Sequence, residues 1–115
     1  MKYLCLIYSE EKQWQTMSTS DVDTMMAEYM VFGDGIKKSG NYIAGNRLSP
    51  THTATAVRIR NGKLSTTDGP FAETKEQLGG YYLIEAKDLD DAIAIAARIP
   101  SARMGSIEVR PIIAH

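Results

Sequence analysis

Tyr3-Leu4-Cys5-Leu6-Ile7-Tyr8 is the stretch on which the fold turns: six residues without a polar interruption, closed by Ser9, Glu10 and Glu11. A strand with one wet face alternates, whereas a short unbroken apolar run between polar residues fits a strand buried on both faces. Gly80 to Ala86 has the same character, with Tyr81 and Leu83 on one side and Tyr82 and Ile84 on the other. The two runs predict the inner strands of one sheet.

Outward from the first run, a polar stretch from Ser9 to Thr19 leads to a helix start. Ser20 with Asp23 three positions on resembles a capping box with Asp in place of Glu. Val22, Met25, Met26, Tyr29, Phe32, Gly33 and Ile36 follow at three- and four-residue spacing, one apolar stripe on a helix over about residues 20 to 39. Met25, Met26 and Met30 read as packing rather than a cofactor box. Lys37 and Lys38 suit the negative end of the helix dipole, and Gly40 closes the helix.

Tyr42 to Leu48 predicts a short strand, followed by a loop at Ser49 to Thr53 in which Pro50 argues against a central position. Ala54 to Arg60 alternates, Asn61-Gly62 signals a tight hairpin, and Lys63 to Thr67 returns with Leu64 opposite Ile59. Asp88 with Asp91 opens a second helix whose expected stripe is Leu89, Ala92, Ile93, Ala96 and Ile99, ended by Pro100. Ile107 to Ile113 is the last strand. The order predicts an α+β, ferredoxin-like βαββαβ sheet with an extra β-hairpin, in a single domain over 1–115.

In such a sheet both helices cover one face, yet the inner strands carry apolar residues on two. A bare contiguous patch of this kind is uncommon on a monomer. Burying even ~400 Å² of apolar surface per chain contributes about 10 kcal/mol gross before association costs. A homodimer with sheets face to face, a dimeric α/β barrel, is the closed arrangement expected. The competing arrangement is a monomer whose own residues 9 to 19 fold over the open face.

Thirteen basic against fourteen acidic residues give a net charge of −1 without a dense Lys/Arg cluster, which argues against direct nucleic-acid binding. Cys5 is the single cysteine, no signal peptide is apparent and no apolar run approaches the ~20 residues of a membrane span, so a cytoplasmic protein is expected. His52 and His115 are the only histidines and lack metal-ligand spacing. No glycine-rich loop follows a strand and opens a helix. Neither a metal nor another cofactor is expected.

The most distinctive local run is Asp68-Gly69-Pro70-Phe71-Ala72-Glu73-Thr74-Lys75-Glu76, followed by Gln77, Leu78 and Gly79-Gly80. Asp-Gly-Pro is turn chemistry, and the two glycines give a second flexible or tight point. The run resembles the signature of the YCII-related proteins, specifically the DGPF (DGPFAETKE) family. Gly79-Gly80-Tyr81-Tyr82 and Glu108-Val109-Arg110-Pro111 extend the resemblance over nearly the whole chain. It implies a ferredoxin-like domain in a dimeric α/β barrel. Similar domains stand alone or are attached to extracytoplasmic-function sigma factors, and some wider relatives are enzymes on small aromatic compounds. Those enzymes pair a His with an Asp near the first helix; here no His precedes His52.

Asp68, Glu73, Lys75 and Glu76 are the catalytic candidates: three carboxylates and one ammonium that suit acid-base work if they converge on a pocket. The same charges also suit a solvated turn or structural ion pairs. Arg58 and Arg110 can clamp a ligand carboxylate with Glu108 orienting one of them, or can pair across strands. Glu28 borders the helical stripe, and Tyr82 would wall a pocket. The functional expectation is a small-molecule-binding protein or acid-base enzyme for a small, anionic or aromatic compound. The alternative implied by the resemblance is a non-catalytic regulatory module.

Overall fold

The computed structural model describes residues 1–114. Six strands and three helices follow in the order β1 (Lys2–Ser9), α1 (Glu11–Thr16), α2 (Thr19–Lys38), β2 (Tyr42–Arg47), β3 (Thr55–Arg60), β4 (Lys63–Asp68), β5 (Gln77–Glu85), α3 (Leu89–Ala96) and β6 (Ser106–Pro111). β2, β5, β1 and β6 form one sheet in that spatial order, each neighbour antiparallel. β1 and β2 therefore run parallel with β5 between them, and α2 crosses from one to the other. The topology fits a ferredoxin-like α+β fold.

Register decides which side chains see the helices. Tyr3, Cys5 and Ile7 of β1 stand opposite Ile84, Tyr82 and Gly80 of β5 and opposite Pro111, Val109 and Ile107 of β6. On that face Tyr3, Cys5, Ile7 and Ile84 pack with Phe32 and Ile36 of α2 and Ala92, Ile95 and Ala96 of α3 to form the core. Leu4, Leu6 and Tyr8 point the other way, beside Leu83, Tyr81 and Leu78. These are half-buried by their strand neighbours alone.

The polar stretch after β1 is not irregular throughout: Glu11–Thr16 is helical. Trp14 Nε1 donates to Ser9 Oγ at 3.1 Å, and the Glu11 amide donates to Gln77 Oε1 at 2.9 Å, so tertiary bonds hold a helix too short to persist alone. This segment lies on the helix side, where Trp14 faces α2, and leaves the opposite sheet face uncovered.

The cap of α2 lies two residues ahead of the expected one. Ser18 Oγ accepts from the Asp21 amide at 3.0 Å, while Ser20 sits inside the helix and its carbonyl accepts from Thr24 Oγ1. Both serines have Asp three positions on, so the pattern alone does not choose between them. Asp88 caps α3 as expected, accepting from the Asp91 amide at 2.9 Å. The buried stripe of α3 is Ala92, Ile95, Ala96 and Ile99, whereas Leu89 and Ile93 are 48% and 49% exposed. The stripe is rotated from the expected one because small Ala92 and Ala96 face the sheet and Ile95 fills the space beside them.

β5 starts at Gln77, earlier than expected, and carries Gly79-Gly80 within it. Ile7 pairs with Gly80 and Tyr8 with Leu78, so Gly79 is the extra residue of a bulge rather than a turn. The hairpin forms as read: Ile59 pairs with Leu64, and Asn61 and Gly62 adopt φ of 52° and 74°. It makes its own two-stranded sheet, and Val57, Ile59 and Leu64 on one face are more than 60% exposed. The chain's radius of gyration is 16.1 Å against about 13 Å for a compact domain of this length, as a projecting arm requires.

Candidate functional site

The large concavity is a cleft of about 1100 Å³ between α1, α2 and the helix-side face of β2 and β5. That size suits a small-molecule site. Its walls are apolar and aromatic, including Val22, Met26, Met30, Trp14 and Tyr82. Gly45 permits this packing: a Cβ there would lie 2.7 Å from the Tyr82 ring, so the ring rests directly on the β2 backbone. Tyr82 meets Phe32 edge-on at 5.1 Å and Tyr42 at 6.4 Å, which fixes its ring at the cleft wall.

Donors dominate the polar lining. Arg47, the last residue of β2, holds its guanidinium 5.9 Å from the Trp14 ring centroid and 3.9 Å from Met26 Sδ. The ion pairs among the described residues are Met1–Glu85, Glu28–Arg103 and Glu108–Arg110, and none involves Arg47. Lys37 lies over the Tyr42 ring at 4.9 Å and is likewise unpaired. Of the acidic residues lining the cleft, Glu11 is engaged by Thr51, whose amide and hydroxyl both donate to it. Asp34 is exposed at the rim.

Tyr29 Oη lies 2.6 Å from Ser101 Oγ. Ser101 is 2% exposed, and Tyr29 is its one side-chain partner. Either hydroxyl can donate in this bond; with Ser101 as donor, the Tyr29 proton is free for a partner in the cleft that both residues line. Burial raises the pKa of Tyr29 and pushes Tyr82 up to about 12, so both phenols remain protonated donors at neutral pH.

Of the nine candidates, Tyr82 lines this cleft and the other eight do not. Asp68 closes the β4 ladder opposite Thr55. Glu73 and Lys75 are exposed, and Glu76 accepts from Ser106 Oγ at 2.9 Å. The loop leads into the cleft wall at Gln77, whose Nε2 donates to the Thr74 carbonyl. Arg58 lies on the hairpin and donates to the Phe71 carbonyl at 3.4 Å, tying arm to loop. Glu108 and Arg110 pair at 3.5 Å on the sheet face away from the helices. Glu28 pairs with Arg103 at 2.6 Å and borders a smaller groove of about 440 Å³ outside the cleft.

Arg47, Trp14, Tyr29 and Ser101 were not singled out by their sequence positions. A lone tryptophan inside a polar stretch was the available signal; a tyrosine in a helical stripe and an arginine at a strand end look ordinary.

Comparison with known proteins gives two findings. The profile of the YCII-related domain matches residues 1–115. A protein of Rhizobium meliloti (strain 1021), described as uncharacterised, is 36% identical over 114 residues, covering 97% of this chain and 92% of that protein.

Proposed function

This chain belongs to the YCII-related domain family, and on that premise we propose that it acts as a homodimer binding a small anionic or aromatic molecule in the cleft beside α2. One observation carries the ligand reading: an aromatic-walled cleft of about 1100 Å³ holds the unpaired Arg47 together with two phenol donors. Arg47 is exposed and makes no ion pair among the described residues, so a ligand carrying an acceptor would find its donors free. Within the family, the run from Asp68 to Glu76 supports placement in the DGPF branch.

The dimer reading is supported by Leu4, Leu6, Tyr8 and Leu83, which the register sets on the face away from the helix-packed core and which stay half-exposed among the described residues. The arm adds Val57, Ile59 and Leu64 as a second uncovered apolar face. Acid-base catalysis by Asp68, Glu73, Lys75 and Glu76 forms part of the proposal only where the loop meets a cleft. That these charges lie outside the chain's own cleft favours, as a second reading, a regulatory module without catalysis.

Thermal denaturation with aromatic acids, lactones and neutral aromatic compounds tests the ligand reading. A true ligand at 100 times its Kd stabilises by ~2.7 kcal/mol and visibly raises Tm. A flat Tm across the whole panel would defeat it and leave the regulatory reading.

A further inference from the structure

We propose that the ligand is a monocarboxylate on a flat apolar body, its carboxylate held by Arg47 and a second polar group by the Tyr29 hydroxyl. The inference rests on the cleft reading above and narrows it to one chemical class.

Arg47 is exposed, with its guanidinium carbon 5.9 Å from the Trp14 ring centroid and Nη1 donating towards Met26 Sδ at 3.9 Å. Its remaining N–H groups form a planar edge suited to bidentate recognition of a carboxylate. A tetrahedral dianion asks for more: phosphate sites gather several cations, a helix N-terminus or a nest of backbone amides. Arg47 offers one fork, and Lys37, the other unpaired cation of the cleft, is committed over the Tyr42 ring. One charge set among apolar walls matches a monoanion.

Trp14, Met26 and Tyr82 offer rings and a thioether to a flat body. Tyr29 lines the same cleft within reach of the Arg47 charge, and with Ser101 as the donor of their shared bond its own O–H is left for a ligand oxygen. The ligand should therefore carry, besides its carboxylate, a second polar oxygen such as a hydroxyl or keto group. Of the carboxylates lining the cleft, Glu11 has its oxygens occupied by the Thr51 amide and hydroxyl, and Asp34 is exposed to solvent that screens its charge.

Trp14 is the chain's only tryptophan, so its fluorescence reports the site directly. Titration with 2-naphthoate and 6-hydroxy-2-naphthoate should change the emission saturably, with 2-naphthamide at least tenfold weaker. Arg47→Met should weaken both acids at least tenfold and abolish their advantage over the amide, with the circular dichroism spectrum unchanged. Tyr29→Phe should weaken the hydroxy acid several-fold and leave 2-naphthoate within twofold. Equal affinity for acid and amide, or Arg47→Met binding as the wild type, overturns the carboxylate assignment while the cleft reading stands. A wild-type hydroxy acid no tighter than 2-naphthoate overturns the Tyr29 role. Absence of both a fluorescence change and a Tm shift with every probe overturns the cleft reading as well.

Discussion

Cys5 has no exposed surface and sits at the middle of β1 among Tyr3, Ile7 and Ile84. Burial without a charged partner disfavours the thiolate, and the thiol is pushed from 9.0 up to about 11. The folded state therefore holds the proton more tightly than the unfolded chain, so its contribution to stability is complete below about pH 9. That contribution is lost as pH rises from 9 towards 11, where the unfolded thiol ionises first. Urea unfolding of the wild type should lose about 1 kcal/mol more than Cys5→Ala between about pH 8 and pH 10. Parallel alkaline limbs for the two proteins would contradict this. Arg47 and Ser101 were not legible at this scale, because their contacts with Met26, Trp14 and Tyr29 lie 20 or more positions away. The opposite holds for Asn61 and Gly62, whose positive φ is a local property and was legible residue by residue.

Helices and strands were legible where their signals were local or periodic. α2 runs from Thr19 to Lys38 because its seven-residue stripe outlasts any ambiguity at the ends, and β1 is the inner strand its unbroken apolar run demands. What failed was decided by tertiary contact. α1 exists through Ser9, Gln77 and Thr51, and the α3 stripe turned on which residues fit close to the sheet. The choice of cap for α2 is open to test because two serines compete. Ser18→Ala removes the acceptor of the Asp21 amide and should cost about 1 kcal/mol, while Ser20→Ala, within the first helical turn, should change stability by less than about 0.5 kcal/mol. Chemical denaturation of the two variants measures the difference, and equal losses would remove Ser18 from its capping role.

At the scale of the whole molecule the sheet presents two unequal surfaces, one roofed by α2 and α3 and one open. The open one is graded: Leu4, Leu6, Leu83 and Tyr81 stand on the two central strands, while Ser106, Glu108 and Arg110 flank them on β6. An apolar centre with a polar border is the composition of an interface rather than of a wetted sheet. Leu6 stands in the central β1 on that surface, clear of the helix-side cleft, so a charge there separates assembly from ligand binding. With the open face buried against a second copy, light scattering should give about twice the 12.7 kDa chain mass for the wild type. Leu6→Glu would place a carboxylate in the apolar seam without a partner, an uncompensated burial that costs several kcal/mol. The variant should therefore elute at the mass of one chain, keep its helical circular dichroism and still bind the naphthoates. A wild type of single-chain mass at all concentrations refutes the dimer. A Leu6→Glu protein that remains dimeric moves the interface elsewhere, with the apolar face of the β3–β4 arm the next surface to charge.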